Sequence, residues 1–452
     1  MKLQLTDKRV LVLGLGDTGL SALRWLKRQG AVLSVADTRA AAPGLGVVKA
    51  ELPEVEIYLG AFQSEVFDKA DIIVISPGVP LAEPEVQAAI VQGKPVVGDV
   101  ELFAQYKPKT AKVIAITGAN GKSTVTTLVG EMCKQAGLNT VVAGNIGLPV
   151  LDALGGAAPD VYVLELSSFQ LETTSSLAPD GAAVLNVTED HMDRYDGMTA
   201  YAAAKARIFF GHGVQVLNRE DDWSRKMAKP GHPVVSFGTD APLADGDFGL
   251  LRRGDEIWLT QGARALMPVT EMKIAGLHNA ANALAALALA RSIGIAYEPL
   301  LAVLREFKGL SHRVEWVAKV GGVDYFDDSK GTNVGATCAA LAGLPQKVVL
   351  IAGGDGKGQD FAPLREPVAR NARAVVLIGR DGPQIGAVLQ GVGVPVLSAK
   401  TMAEAVGLSR DYAQSGDAVL LSPACASWDM FRNYAHRAEV FVAAVRGLEA
   451  AC

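Results

Sequence analysis

Residues 117–124 read TGANGKST, and they follow directly on the apolar run Val113–Ile116. A short apolar run of this kind, bounded by glycine, is typical of a strand buried in a parallel sheet. In a phosphate-binding loop the glycines let backbone N–H groups approach the phosphates, the lysine neutralises phosphate oxygens and the next hydroxyl can bind Mg²⁺. The usual first glycine of that motif is replaced by Ile116, so the loop is a shortened variant. It predicts ATP binding by Lys122 and Ser123 at the start of a helix.

A second strand–turn–helix pattern lies near the N-terminus, where the apolar run Val10–Leu13 leads into GLGDTG at residues 14–19. Asp37 ends the next apolar run, at about the spacing at which an acid meets a ribose hydroxyl. Read alone, this pattern favours NAD. However, it specifies only a pyrophosphate on a helix N-terminus beside a hydroxyl-bearing group, and UDP-sugars offer the same features. The motif therefore predicts a nucleotide-like ligand without saying which one.

Alternating strands and helices extend over the whole chain. Further apolar runs bounded by glycine or proline lie at residues 31–36, 55–58, 72–75, 95–97, 161–165, 182–187, 348–352, 374–378 and 418–421. The polar stretch 105–112 is interpreted as a linker, and an Ala-rich helix is predicted over 278–293. We predict an α/β protein of three domains. They are a Rossmann-like domain over 1–100, a central P-loop-type ATPase domain over 101–309 and a C-terminal Rossmann-like α/β domain over 310–452.

The composition agrees with this architecture and excludes several classes of protein. At roughly 100 to 200 residues per domain, a chain of 452 residues has room for three domains. Hydrophobic residues make up 49% and charged residues 20%, which excludes a disordered chain. The 43 Lys and Arg against 48 Asp and Glu give a net charge of −5, which argues against a nucleic-acid partner. The 48 glycines lie mostly at the ends of apolar runs, where they predict tight strand-to-helix turns.

Cysteine placement and hydropathy restrict the site types and the location. Cys133, Cys338, Cys425 and Cys452 are widely scattered, so they form neither a zinc motif nor a disulfide framework. No apolar run approaches the 18 or more residues of a membrane span, and the N-terminus lacks the core of a signal peptide. We expect a soluble, cytoplasmic, monomeric protein without membrane insertion.

Acidic residues follow two of the predicted strands of the central block. Glu165 begins ELSSFQ at a strand end, and His191 lies among three acids in NVTEDHMD at residues 186–193. Because strand ends converge on the ligand crevice of a parallel sheet, and Mg²⁺ takes oxygen ligands, Glu165 is a candidate metal ligand. For Lys205, in YAAAKAR, the residues alone indicate only a solvated helix lysine.

Polar, glycine-bearing clusters also follow the strands of the third block. They are HRVE at 312–315, DDSKGTN at 327–333, GGDGK at 353–357 and SPACASWD at 422–429. Each alone is compatible with an ordinary loop, but together they favour a second ligand site. Arg313, Lys330 and Lys357 could line it with positive charge for phosphate or carboxylate groups.

These motifs together resemble the Mur ligases, and the similarity spans essentially the whole chain. It rests on GANGKST, ELSSFQLETT, NVTEDHMDRY, YAAAKAR, GLHNAANALAALALA, HRVEWV, DSKGTN, GGDGK and SPACASWDMF, with GLGDTG and ADTR in the first block. The third-block motifs are most similar to the D-glutamate-adding members. The resemblance implies an N-terminal domain that holds UDP rather than NAD, a central ATPase and a C-terminal domain that closes over ATP and receives the amino acid. The implied substrates are UDP-N-acetylmuramoyl-L-alanine, D-glutamate and ATP.

The resemblance also implies a role for individual residues. The implied ATP contacts are Gly118, Asn120, Gly121, Lys122, Ser123, Thr124, Asn282, Arg313 and Asp328. The implied UDP-substrate contacts are Asp17, Thr18, Asp37, Thr38, Gly78 and Asn145. The implied D-glutamate contacts are Lys330, Thr332, Lys357, Ser427 and Tyr434, the last at a position where the family would be expected to have Phe. The implied catalytic residues are Lys122, Glu165, His191 and Lys205. Two Mg²⁺ ions are implied, near Ser123, Glu165, His191 and a CO₂-derived carbamate on Lys205.

The implied reaction is amide formation through an acyl phosphate, as part of peptidoglycan precursor synthesis. The sequence leaves three alternatives open. One is a ligase of the same superfamily that adds L-alanine, a diamino acid or a folate glutamate. Another is an NAD-dependent dehydrogenase with an appended ATPase, supported only by GLGDTG and Asp37. The third is a non-catalytic, nucleotide-regulated binding protein.

Overall fold

The computed structural model describes residues 2–274 and 276–449, and this part of the chain contains three β-sheets with helices on both faces of each. The predicted α/β class is therefore confirmed. No helix in the described ranges is long and apolar enough to cross a membrane. Cys452 lies outside these ranges. Of the other three cysteines, Cys133 and Cys425 are buried, and all three are free thiols.

The first sheet is parallel and has the strand order β3-β2-β1-β4-β5. Its strands are β1 (Arg9–Leu13), β2 (Val32–Asp37), β3 (Glu56–Leu59), β4 (Ile72–Ile75) and β5 (Val96–Val97). Its helices are α1 (Asp17–Arg28), α2 (Leu45–Glu51), α3 (Ser64–Lys69) and α4 (Pro84–Val91). Val10 and Val12 of β1 face one apolar cluster while Leu11 and Leu13 face another, so both faces of the strand are buried.

The second sheet has nine strands in the order β14-β13-β12-β11-β10-β9-β6-β8-β7. They are β6 (Lys112–Thr117), β7 (Thr140–Gly144), β8 (Val161–Glu165), β9 (Gly181–Val184), β10 (Val214–Asn218), β11 (Val234–Phe237), β12 (Phe248–Arg253), β13 (Glu256–Gln261) and β14 (Arg264–Pro268). The helices of this region are α5 (Asp99–Tyr106), α6 (Lys122–Gln135), α7 (Ser168–Glu172), α8 (Gly197–Ala206), α9 (Asp222–Lys226), α10 (Leu277–Ser292) and α11 (Tyr297–Glu306). The strands up to β12 pair in parallel, and β13 and β14 add an antiparallel edge.

The third sheet has the order β15-β16-β20-β17-β18-β19, with β15 antiparallel to its neighbour and the other pairs parallel. Its strands are β15 (Glu315–Val320), β16 (Val323–Asp327), β17 (Val348–Gly353), β18 (Ala372–Ile378), β19 (Val396–Ser398) and β20 (Ala418–Leu421). Its helices are α12 (Val334–Gly343), α13 (Arg365–Asn371), α14 (Gly382–Val388), α15 (Met402–Tyr412) and α16 (Tyr434–Glu449). The three sheets fall in the three predicted blocks, while the residue boundaries at 100 and 309 stay a prediction.

Helix α5 corrects one prediction from the sequence. Residues 105–112 were expected to form a linker, but Gln105 and Tyr106 end α5, and Lys112 already begins β6. Val100 and Phe103 of this helix are fully buried in an apolar cluster shared by the first two sheets. The burial of that short apolar face between two sheets stabilises a helix whose local pattern is weak. The segment between the sheets is therefore a packed helix followed by a linker of five residues, 107–111.

Candidate active site

The predicted ATP loop lies where the second sheet reverses its strand order. Strand β6 has β8 on one side and β9 on the other, and the loop after it leads into α6. At such a switch point the ends of parallel strands leave a crevice for a ligand. Helix α6 begins at Lys122 without a side-chain cap, so its first N–H groups are available to an anion. Gly121 has φ +84°, and a Cβ there would lie 2.5 Å from Asn282 Oδ1, so only glycine fits.

A cavity of about 340 Å³ opens beside this loop. Six of the nine predicted ATP contacts line it, namely Asn120, Gly121, Thr124, Asn282, Arg313 and Asp328. Burial raises the pKa of Asp328 to about 7, although its carboxylate accepts a hydrogen bond from Ser422 Oγ at 2.6 Å. Four further lining residues were not predicted from the sequence, namely Asn186, Asn218, His278 and Asn279. Asn186 and Asn218 each end an apolar run, and that is the signal that could have found them.

Lys122 and Lys205 meet at one backbone carbonyl of the loop. Each Nζ donates a hydrogen bond to Gly118 O at 2.9 Å, and Lys122 also donates to Ala119 O at 2.8 Å. Lys205 is 2% exposed, so the solvated side chain that its local sequence indicated is wrong. Burial, helped by the nearby charge of Lys122, holds the pKa of Lys205 well below its ordinary value. Burial also lowers the pKa of Lys122, against the opposing effect of Glu165 and Asp190.

Glu165 and His191 lie close to this pair of lysines. Glu165 ends β8 and is 1% exposed; its Oε1 accepts a hydrogen bond from Asn145 Nδ2 at 2.8 Å. Its Oε2 is buried without a hydrogen-bond partner in the ranges that the structure covers. His191 adopts a left-handed backbone conformation, with φ +60°. Burial lowers its pKa to about 4, although the charge of Asp190 opposes this, so the imidazole is neutral at pH 7.

These donors suit a divalent cation. A buried carboxylate oxygen without a hydrogen-bond partner in the described ranges and a neutral imidazole both have lone pairs that can bind a metal ion. Ser123, which is also predicted near the metal, is 2% exposed and accepts a hydrogen bond from Arg313 Nη2 at 2.9 Å. The residues predicted for Mg²⁺ therefore fit the ion by chemistry.

A second, larger cavity of about 580 Å³ lies at the switch point of the first sheet, between the ends of β1 and β4. All six predicted UDP-substrate contacts line it, namely Asp17, Thr18, Asp37, Thr38, Gly78 and Asn145. Arg39, Ser76 and Gln170 line it as well and were not predicted from the sequence. Arg39 stands in the ADTR segment and Gln170 in ELSSFQ, so both lay within motifs that had been singled out. We refer to this cavity as the N-terminal crevice.

The Asp37 carboxylate accepts hydrogen bonds from neighbouring groups of the chain. Its Oδ2 accepts hydrogen bonds from Leu15 N and Arg39 Nη2, both at 2.7 Å, and its Oδ1 accepts from Arg39 N and Nε, both at 2.9 Å. The Arg39 hydrogen bonds lower the pKa of Asp37 to about 2, against the effect of burial. Because this carboxylate is engaged, the ribose-binding acid that supported NAD is not free in this structure. Arg39 adds a cation to the crevice, which suits a pyrophosphate.

The third sheet contributes side chains that reach the ATP loop and the acids near it. Besides the Arg313–Ser123 hydrogen bond, Asn333 Nδ2 donates to Asn120 Oδ1 at 3.0 Å. Lys357 Nζ lies 2.5 Å from Asp190 Oδ1. Residues more than 160 positions apart therefore meet at one place. The C-terminal region closes one side of the site.

All five predicted D-glutamate contacts lie in the C-terminal region, and none of them lines either cavity. Lys330 Nζ lies 5.0 Å from the centroid of the Tyr434 ring, and Ser427 is 3% exposed. The backbone N–H of Thr332 donates to Lys330 O at 3.0 Å. Arg313, Lys330 and Lys357 contact three different partners, and a shared cationic lining formed by these three residues stays a prediction.

Comparison with known proteins gives consistent results for all three regions. The model of the Mur ligase MurD-like N-terminal domain matches residues 8–98, that of the Mur ligase middle domain 116–290, and that of the Mur ligase glutamate ligase domain 312–425. A UDP-N-acetylmuramoylalanine–D-glutamate ligase from Methylobacillus flagellatus is 66% identical over 447 residues, which are 99% of this chain and 98% of that protein. The ligase of the same name from Thiobacillus denitrificans is 58% identical over 99% of this chain and 98% of its own length.

Solved structures show that the fold is shared more widely. A UDP-N-acetylmuramate–alanine ligase from Thermotoga maritima has a TM-score of 0.61 at 20% identity, covering 98% of this chain and 100% of that one. A pseudomurein peptide ligase type C from Methanothermus fervidus has a TM-score of 0.59 at 18% identity, over 92% and 96% of the two chains. At these identities the likeness concerns the arrangement of the three sheets.

Proposed function

The chain belongs to the Mur ligase family, and on that premise we propose that it joins D-glutamate to UDP-N-acetylmuramoyl-L-alanine, with cleavage of ATP to ADP and phosphate, in peptidoglycan precursor synthesis. The observation that carries this proposal is that Lys122 and Lys205 both bind the Gly118 carbonyl, beside a cavity lined by Arg313 and Asp328. The 66% identity to a D-glutamate ligase, together with the DSKGTN and SPACAS motifs, supports D-glutamate as the amino acid.

ATP occupies the cavity beside the loop in this proposal. Backbone N–H groups at the start of α6 and the Lys122 ammonium bind its phosphates, and Asn282, Arg313 and Asp328 contact the rest of the nucleotide. Mg²⁺, when bound at two sites near Ser123, Glu165 and His191, would neutralise charge on the phosphates. Lys205 contributes through a carbamate, for which its amine must be neutral. The low pKa that burial imposes on Lys205 supports this.

The UDP part of the acceptor lies in the N-terminal crevice, where Asp17, Thr18, Thr38 and Gly78 contact it and Asn145 borders Glu165. The alanine carboxylate then attacks the γ-phosphorus of ATP, and ADP leaves, so that an acyl phosphate forms. The neutral amine of D-glutamate, held by Lys330, Thr332, Lys357, Ser427 and Tyr434, attacks the acyl carbon. A tetrahedral intermediate expels phosphate, and the amine proton is lost. Closure by the C-terminal region keeps water from the acyl phosphate.

The test is phosphate release from ATP in the presence of UDP-N-acetylmuramoyl-L-alanine, with D-Glu, L-Glu, L-Ala and diaminopimelate compared as acceptors. We expect turnover with D-Glu only, and none in Lys122→Ala. Equal rates with L-Glu and D-Glu would contradict the stereospecific assignment. Turnover retained by Lys122→Ala would refute the role of the loop. The domain boundaries, the monomeric state and the cytoplasmic location stay predictions from sequence.

A further inference from the structure

Arg194 joins the loop that contains His191 to the wall of the N-terminal crevice. Its Nη1 donates a hydrogen bond to Pro77 O at 2.6 Å, and its Nη2 donates to Val79 O at 3.2 Å. Its side chain is only 16% exposed, so water competes little for these donors. The two carbonyls lie on either side of Gly78, a residue predicted to contact the UDP-substrate. The planar guanidinium thus holds both ends of this short segment.

The segment that Arg194 holds is part of the ligand site. Residues 76–79 all line the N-terminal crevice. Ser76 Oγ donates to Gly14 O at 3.2 Å, which places the segment against the glycine turn after β1. A displacement of the carbonyls at Pro77 and Val79 would therefore change the width of the crevice beside that turn.

The planar face of the Arg194 guanidinium contacts an aromatic ring that packs against the active site. Its central carbon lies 4.0 Å from the centroid of the Phe169 ring, within the range of a cation–π contact. Phe169 in turn packs against the His191 imidazole, with ring centroids 4.8 Å apart. Glu172 Oε2 lies 3.4 Å from Arg194 Nη2 and partly balances its charge. One side chain therefore contacts both the crevice wall and the ring that supports His191.

We propose that Arg194 is a positioning residue, which fixes the position of the N-terminal crevice wall at Gly78 relative to Phe169 and His191. It acts through the Pro77 and Val79 carbonyls and touches no reacting atom. A lysine at this position would keep the charge, but its compact ammonium cannot donate to both carbonyls while lying flat on the Phe169 ring. The identity of the crevice ligand as a uridine nucleotide rests on the proposed function.

The test compares ligand affinities of the full chain and of Arg194→Lys by calorimetry, with UDP and ADP as probes. We expect UDP binding to weaken roughly tenfold, about what the loss of one or two buried hydrogen bonds predicts. ADP affinity should stay within about twofold, because the ATP cavity does not include residues 76–79. In the ligation assay the KM for the UDP-substrate should rise while the KM for ATP does not.

A matched control is Arg291→Lys. Arg291 donates to one carbonyl, Ile295 O at 2.6 Å, and lies 4.7 Å from the Tyr297 ring, but it stands at the far end of α10 from the ATP cavity. This variant should leave both affinities unchanged. Unchanged UDP binding in Arg194→Lys, or equal weakening of UDP and ADP, would overturn the proposal and leave the proposed function standing. Failure of the wild-type chain to bind UDP would overturn both.

Discussion

The substitution Asp99→Asn is predicted to change the pH dependence of stability in a defined direction. Asp99 is 4% exposed in the first turn of α5, between the first two sheets. Its Oδ2 accepts one long hydrogen bond, from Gln170 Nε2 at 3.4 Å, and within the described ranges Oδ1 has no partner of normal geometry. Burial raises the pKa of this carboxyl from 3.8 to about 6. The folded state therefore disfavours its ionised form.

The sign and size of the effect follow from that shift. Because the folded pKa is raised, the stability associated with Asp99 is fully present below about pH 4 and is lost as the pH rises through about 6. A shift of about two units corresponds to a loss of roughly 3 kcal/mol above pH 7. Between pH 5 and pH 8 the loss grows by about 1.5 kcal/mol. Asp99→Asn removes the titrating group and keeps an oxygen that can accept from Gln170.

Urea unfolding of the wild-type and variant chains at pH 5, 6, 7 and 8 measures this difference. The variant should gain stability relative to wild type by about 1.5 kcal/mol from pH 5 to pH 8. Asp71→Asn is the control of opposite sign, because hydrogen bonds from Arg9 lower the pKa of Asp71 to about 2. That variant should lose stability relative to wild type as the pH rises from about 2 to about 4, so this control is also unfolded at pH 2, 3 and 4, and from pH 5 to pH 8 its difference from wild type should stay constant. A difference between Asp99→Asn and wild type that is independent of pH would show that burial does not raise the pKa of Asp99.

Three other substitutions have expected outcomes. Gly144→Ala should lower the free energy of unfolding by at least about 2 kcal/mol in urea unfolding, since φ is +116° and a Cβ would lie 2.1 Å from Glu165 O; an unchanged midpoint would argue against this backbone contact. Asn333→Ala removes both the cap of α12 and the hydrogen bond to Asn120, so stability should fall by about 1 kcal/mol. The KM of Asn333→Ala for ATP should rise in the phosphate-release assay. A loss of stability with an unchanged KM for ATP would contradict the bridging role of Asn333. Tyr434→Phe should keep kcat within about twofold, because neither the contact of Lys330 with the ring nor the hydrogen bond from Ser329 Oγ to Tyr434 O uses the hydroxyl. A larger loss of kcat would show that the hydroxyl contributes to the reaction.

Local patterns in the sequence predicted most strands close to their observed bounds. Strand β4 and strand β20 match the predicted runs at both ends, and the Ala-rich helix was displaced by a single residue. The antiparallel edge formed by β12, β13 and β14 was missed. Its strands carry charged and polar residues, because antiparallel strands at the edge of this sheet are not buried on both faces. Its two turns contain Gly254 and Gly262, both with positive φ, which was the available signal.

By itself the sequence determined the α/β alternation, the position of the phosphate loop and the glycine turn after β1 at the N-terminal crevice. These features depend on a few consecutive residues, since a strand, a glycine turn and a helix start are local structures. Only the tertiary structure decided that Lys205 and Asp99 are buried, and which groups Arg194 and Asp37 contact. The burial of a lysine, and with it the direction of its pKa, depends on segments that are distant in the chain and pack around it. The chemistry of the site therefore comes from residues whose types are visible in the sequence but whose protonation and contacts depend on the packing of the three sheets.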